Sequence, residues 1–232
     1  MTRYIYIKKE PQTEKINVNK GNFVKHLSFC VLLLGFIILT SVFYPILNYE
    51  FKSRRFSSRL VSPIKVLGEG TTIVDYSRPN SWFPTAKDLP PKSSRITHYS
   101  LSIPKLKIED AIVHVGGEDL MDSLIQYPGT SLPGHYGNAV VFGHSVLRQF
   151  FNPQNYKTIF STLPTLEKGD EIFVSFDGIL YRYQVIGLRE VLPDDVSVLQ
   201  QHYDSEYLSL ITCVPPGTYL RRLVIKAKLT RI

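Results

Sequence analysis

Ser209-Leu210-Ile211-Thr212-Cys213, followed by Val214-Pro215-Pro216-Gly217-Thr218-Tyr219 and then Leu220-Arg221-Arg222-Leu223-Val224-Ile225, reads as a strand, a turn and a second strand. The segment from Tyr207 to Thr212 is rich in apolar and β-branched residues, which suits a pleated and mostly buried strand. The Pro-Pro-Gly run ends it, because proline has no N–H for a sheet ladder and glycine permits a turn. Leu223, Ile225, Ala227 and Leu229 then alternate with Arg222, Val224, Lys226 and Lys228, the pattern of a half-buried strand running back. Cys213 therefore falls where a rigid strand meets a loop, with arginine near the start of the facing strand. A thiol held beside a guanidinium is a site for a nucleophile. Taken alone, a free cysteine at a strand end is more often a small buried hydrophobe.

Thr-Cys after Leu-Ile, with arginine a few residues into the next strand, resembles the Thr-Leu-x-Thr-Cys signature and catalytic arginine of the sortases, which are membrane-anchored cysteine transpeptidases. Ser209 stands where that signature has threonine, a change that keeps a hydroxyl. Upstream, Gly137-Asn138-Ala139-Val140-Val141-Phe142-Gly143-His144 resembles the family's Gly-Asn, apolar run and Gly-His segment. Further similarities follow in order: Pro104 within Ser102-Ile103-Pro104-Lys105-Leu106, Tyr127-Pro128-Gly129-Thr130, Leu132-Pro133-Gly134, Leu166-Glu167-Lys168-Gly169-Asp170, and Val191 to Leu199.

The resemblance implies a division of labour. Cys213 would be the nucleophile, His144 the proton carrier to and from the amines, and Arg222 the donor to an oxyanion or to the bound peptide. Arg221 competes for that last role, but the run Arg222-Leu223-Val224-Ile225-Lys226-Ala227 aligns better with the family's arginine strand. Thr212 is a further candidate, ordering the oxyanion pocket. His98, His114, His135 and His202 lack the strand-end context of His144 and read as structural or surface residues. Asp194 and Asp195 follow a proline, as turn aspartates do, and need no catalytic role. Glu118 and Asp119 show no metal-ligand spacing, and no cofactor is implied.

Outside this region, composition sets the frame. The 232-residue chain suits one ordinary domain with accessory segments, and 44% hydrophobic content excludes disorder throughout. The net charge of +7 is spread along the chain rather than gathered into an aromatic-interleaved stripe, which argues for a membrane surface and against nucleic acid. Two cysteines cannot make a disulfide framework. Residues 1–26 read as a basic, mostly unstructured cytoplasmic tail. Leu27 to Leu47 carries no charge and is long enough to cross a bilayer core of roughly 30 Å as a helix. The bulky Val42-Phe43-Tyr44-Pro45 offers no cleavage site, so an uncleaved signal anchor fits better than a leader. Cys30 lies within it as inert packing. Basic residues flank both ends, so charge does not orient the span. Residues 48–94 are rich in Ser, Arg and Pro and read as a spacer. Trp82 and Phe83 within it either pack on the domain or cover its groove. Ser81-Trp82-Phe83-Pro84 lacks the Asp-Pro-aromatic lid pattern of pilin-polymerising sortases, so no lid of that type is predicted.

From residue 95 to 232, short strand signals recur between turn residues: Tyr99 to Ile103, Ala111 to Val115, Ala139 to Phe142, Glu171 to Phe176, Leu180 to Leu188 and Tyr207 to Thr212. They argue an all-β sandwich or barrel. Helical interruptions are expected around Glu118 to Ile125 and Asn155 to Leu163. The resemblance implies an eight-stranded β-barrel with short helices, preceded by one transmembrane helix and placed outside the cell. It also implies partners: proteins carrying a C-terminal sorting motif of the Leu-Pro-x-Thr-Gly kind, and an amine acceptor, either a cell-wall peptide or a pilin lysine. A cysteine hydrolase on the same scaffold and a membrane-tethered binding module are the alternatives.

Overall fold

In the computed structural model, residues 20–53, 75, 77–83 and 96–230 are described. The basic tail before Lys20 and most of the expected spacer lie outside them. The chain divides into two compact units, Met1–Phe43 and Tyr44–Ile232.

Helix α1 runs from Lys20 to Ser53, beginning before and ending after the uncharged run. Helix elongation adds one hydrogen bond per residue fixed, so the apolar run carries its polar flanks into the helix. Its Lys25–Phe51 stretch of 27 residues is long and apolar enough to cross a membrane. Leu27, Leu32 and Ile37 point outward from different sides and are all more than half exposed. An uncharged helical stretch that is apolar all round suits lipid.

The second unit is a closed barrel of eight strands: β1 (His98–Ile103), β2 (Ile108–Val115), β3 (Leu124–Gln126), β4 (Gly137–Phe142), β5 (Glu171–Phe176), β6 (Ile179–Val191), β7 (Glu206–Val214) and β8 (Arg221–Leu229). Their order around the wall is β1-β2-β3-β4-β7-β8-β6-β5. The expected mainly β fold is therefore present. β2 with β3 and β4 with β7 pair in parallel; the remaining neighbours are antiparallel.

Side chains alternate across the wall, as the period of two requires. Leu101, Val113, Val141, Val174, Leu210 and Ile225 fill the interior. On β4, β7 and β8 the intervening residues Val140, Phe142, Ile211, Cys213 and Val224 join a second buried cluster with Trp82 and Phe83. All six residues of β4 are consequently buried. That is why its sequence reads as an unbroken apolar run.

The two expected helical interruptions are absent. Around Glu118 to Ile125 the chain makes a turn, in which the Asp119 side chain accepts from the Met121 N–H at 2.7 Å. It then enters β3, whose Ile125 pairs with both His114 and Phe142. Sheet pairing on two sides outweighs local helix preference here. Asn155 to Leu163 is a chain of tight turns, with Thr158 N–H to Asn155 O at 2.9 Å and Ser161 N–H to Thr158 O at 3.0 Å. The Thr158 and Ser161 hydroxyls hydrogen-bond the same carbonyls, which competes with helix formation. Only short 3-10 turns interrupt the barrel among the described residues.

Gly143 follows β4 at a crowded point of the wall. A Cβ there would lie 2.5 Å from Phe160 Cδ2 and 2.6 Å from Leu124 Cδ2. Gly143→Ala should therefore overpack the wall and destabilise the fold by about 1–3 kcal/mol. Chemical denaturation of the two proteins measures this; equal midpoints would contradict it.

Candidate active site

β4 and β7 run parallel in the register Phe142↔Ile211, so the residues just beyond them emerge together at one end of the barrel. His144 leaves β4 there and Cys213 is the penultimate residue of β7. Three hydrogen bonds hold the two ends together. Gly143 N–H donates to Ile211 O at 3.1 Å. Thr212 Oγ1–H donates to Gly143 O at 2.8 Å, and Ser145 Oγ–H donates to Cys213 O at 2.6 Å. His144 is thus flanked on both sides by residues bonded to the Cys213 strand. Its own carbonyl accepts from Phe160 N–H at 3.0 Å.

Arg222 pairs directly across from Cys213 on β8, while Arg221 pairs with Val214. Adjacent residues point to opposite faces, so only one of the two arginines can share the face of Cys213. It is Arg222, which is 1% exposed. Its Nη1 donates to Tyr219 O at 3.0 Å and to Arg221 O at 3.4 Å, and its Nη2 donates to Trp82 O at 3.2 Å. Thr212 also points away from Cys213, and its hydroxyl braces the Gly143 carbonyl.

Behind the site, the Ser209 hydroxyl donates to Asn138 Oδ1 at 2.8 Å. Asn138 Nδ2 donates in turn to Val198 O at 3.2 Å, tying the loop between β6 and β7 to the wall. The hydroxyl retained at Ser209 is therefore used, and the asparagine after Gly137 has a structural task. His135 lies against Phe176, with ring centroids 6.4 Å apart, and His98 and His114 neighbour each other at 6.0 Å across β1 and β2. Cys30 and Cys213 are both free thiols, Cys30 exposed on α1 and Cys213 buried.

Trp82 is the residue that sequence reasoning left undecided. Its short turn, Pro79–Trp82, seats the indole over the site with no exposure to solvent. The ring centroid lies 5.8 Å from that of His144 and 5.3 Å from that of Phe142, the latter edge-on. The Arg222 guanidinium carbon stands 5.4 Å from the indole centroid, within cation–π range. Phe83 packs on Phe142 beside it. The groove is thus covered without the Asp-Pro-aromatic pattern. The available signal was compositional: two large aromatics in an otherwise polar stretch.

Covering the groove sets the charge states of the pair. Burial pushes the Cys213 thiol up to about 11, with the Arg222 cation pulling against it. Burial also holds His144 below the ordinary imidazole value, opposed by the Asp119 and Asp75 carboxylates. Among the described residues its Nε2 has no hydrogen-bond partner. The covered site therefore holds a neutral thiol beside a neutral imidazole. A thiolate needs the water or the positive charge that uncovering would supply.

Comparison with known proteins gives one consistent answer. The family profile described as Sortase domain matches residues 101–230. Sortase A of Bacillus anthracis is 28% identical over 130 residues, covering 56% of this chain and 58% of that protein. Sortase D of Bacillus subtilis is 28% identical over 132 residues, covering 55% of this chain and 61% of that protein. The chain thus spans about three fifths of the length of these relatives. The crystal structure of sortase C-1 from Actinomyces oris superposes with a TM-score of 0.53 at 22% identity, covering 66% of this chain and 94% of that one; this likeness concerns the fold.

Removing the cover should expose and activate the thiol. Trp82→Ala is expected to speed iodoacetamide alkylation of Cys213 at pH 7.5 on the order of tenfold or more, as its pKa falls back toward the free-thiol value. Peptide mass mapping reads the rate, and an unchanged rate would count against the cover. A second expectation concerns acid. Because the folded His144 resists protonation while the unfolded chain accepts it, its contribution to stability is present above about pH 6.5 and lost as pH falls through and below that value. The fall in Tm between pH 7.5 and 5 should accordingly be shallower for His144→Gln than for the native chain.

Proposed function

Because the chain belongs to the sortase family, we propose that it is a membrane-anchored cysteine transpeptidase acting through Cys213, His144 and Arg222. The observation that carries the reading is their convergence. The parallel ends of β4 and β7 bring His144 and Cys213 to one place, and Arg222 stands opposite Cys213. A protein using this barrel only for binding would have no need to keep all three chemistries together.

The reaction follows from the residue types. The Cys213 thiolate attacks the carbonyl carbon of a substrate peptide bond, and the C–N electron pair leaves with the amine after the tetrahedral intermediate collapses. His144, as imidazolium, gives the proton that the leaving amine takes. The product is a thioester between the substrate acyl group and the Cys213 sulfur. An incoming amine then attacks the thioester and loses a proton to His144, and the sulfur leaves as thiolate. Arg222, its guanidinium held at the site, donates to the oxyanion of both tetrahedral intermediates. The substrate is a protein with a C-terminal motif of the Leu-Pro-x-Thr-Gly kind, cut between Thr and Gly. The acceptor is the amine of a cell-wall peptide or of a pilin lysine. The apolar α1 anchors the chain as a single span, with the barrel on the extracytoplasmic side where such substrates are exported. Trp82 must move aside before a peptide can reach Cys213.

The test uses the full chain in detergent with a Leu-Pro-x-Thr-Gly-type peptide and a trial amine. A mass gain on the native protein equal to the peptide up to threonine is expected, absent from Cys213→Ala. Ligated product in excess of hydrolysed product marks transfer to the amine; hydrolysis alone would mark a protease on the same scaffold. Arg222→Met should lower kcat on the order of 10²-fold, as expected for the loss of an oxyanion donor.

A further inference from the structure

Arg221, the arginine that does not face Cys213, has an environment of its own. Its Nε lies 2.9 Å from Glu190 Oε2, an ion pair whose N–H is not aimed along the contact. Its Nη2 meets the Glu50 carboxylate. The Glu190 side chain is only 1% exposed, and its other oxygen accepts from the Tyr49 hydroxyl at 2.6 Å. Tyr49 also packs against the interior core of the barrel. Two residues from the C-terminal end of α1 and one from β6 thus close on a single guanidinium. Both Glu190 and Arg221 lie far from Tyr49 and Glu50 in sequence, and holding long charged side chains in this way has an entropic cost.

What this arrangement fixes is the first residue of β8. Arg221 pairs with Val214 at the end of the β7–β8 ladder, and the loop that leads into it exposes Tyr219 and Leu220 by half or more. Arg222 donates from Nη1 to the carbonyls of Tyr219 and of Arg221 itself. The backbone that orients the Arg222 guanidinium is therefore the backbone that the Arg221 side chain pins. We propose that Arg221 is a positioning residue, clamped by Glu190, Tyr49 and Glu50, that makes the end of α1 an integral part of the active site by setting the placement of Arg222 relative to Cys213. The consequence for catalysis rests on the transpeptidase reading above. The consequence for the Cys213 thiol does not.

The test is made in the full chain in detergent, with Cys30→Ser so that Cys213 is the one thiol. Tyr49→Phe and Glu50→Gln remove contacts at the outer side of the clamp and leave the buried Glu190–Arg221 pair in place, which favours folded protein. The rate of Cys213 alkylation by iodoacetamide is measured from pH 8 to 12, with Tm recorded alongside. Each variant is expected to raise the alkylation midpoint by about half a unit, roughly a threefold loss of thiolate at fixed pH. Glu50→Asp, which keeps the charge, is expected to restore most of it. With the sorting-type peptide, kcat should fall while KM stays near the native value. A lowered Tm with an unmoved midpoint would reduce the cluster to a structural brace and overturn the proposal. If the native chain turns over no peptide, the transpeptidase reading fails, and the alkylation midpoint still decides the clamp.

Discussion

The parallel pairing of β4 with β7 is the constraint on which the site depends. Parallel neighbours cannot be joined by a tight hairpin, so the chain must leave β4, build β5 and β6 and return before β7 can lie alongside. In exchange, both strands end at the same side of the barrel. His144 and Cys213, 69 positions apart by their numbers, are brought together without any direct bond between their side chains. The hydrogen bonds from Thr212 to Gly143 and from Ser145 to Cys213 then lock the two ends at a level, each contributing about 1 kcal/mol. Shift the register by one residue and Cys213 would turn into the interior while Thr212 took its place.

Electrostatics on this frame oppose reactivity as long as the indole of Trp82 stays seated. Desolvation acts on acid and base in opposite senses, raising the thiol and lowering the imidazole, so both groups are driven toward neutrality. Among the described residues Arg222 is the positive charge that pulls on Cys213, and its pull is the smaller influence while the site is dry. Trp82, whose indole excludes water, also borrows the guanidinium, through its backbone carbonyl and the π face of its ring. Displacing Trp82 would therefore rehydrate the pair and free donors of Arg222 in one movement.

Most of the barrel was legible because its signals are local. Leu223, Ile225 and Ala227 alternate visibly, and the uninterrupted apolar β4 announces a strand buried on both faces. That Arg222, and not Arg221, stands opposite Cys213 agrees with the apolar run that follows it in the sequence. Misreadings came where pairing partners far along the chain decide the outcome. Leu124 and Ile125 look compatible with a helix until β2 and β4 are known to lie on either side. The turns from Asn155 to Leu163 depend on Thr158 and Ser161 hydroxyls that a hydrophobicity pattern does not weigh. Trp82 belongs to no periodic element, so nothing in its own stretch states that it lies on His144. The Tyr49–Glu190 contact crosses 141 positions and joins residue types that are common on any surface. Such contacts are fixed by the assembled fold and leave no pattern in the chain.

Closure of the wall between β1 and β5 has a further consequence for recognition. Every one of the eight strands has a neighbour on each side, and only the flanks of β2 and β4 beyond the three-residue β3 lack a ladder partner there. Closure thus leaves little free edge for capturing an extended peptide by strand addition, the sequence-tolerant mode in which main chain pairs with main chain. Discrimination must come from side-chain pockets and from the loops at the end of the barrel. A scaffold of this kind can change what it reads by altering loops while its ladder stays untouched, and it resists edge-to-edge self-association for the same reason.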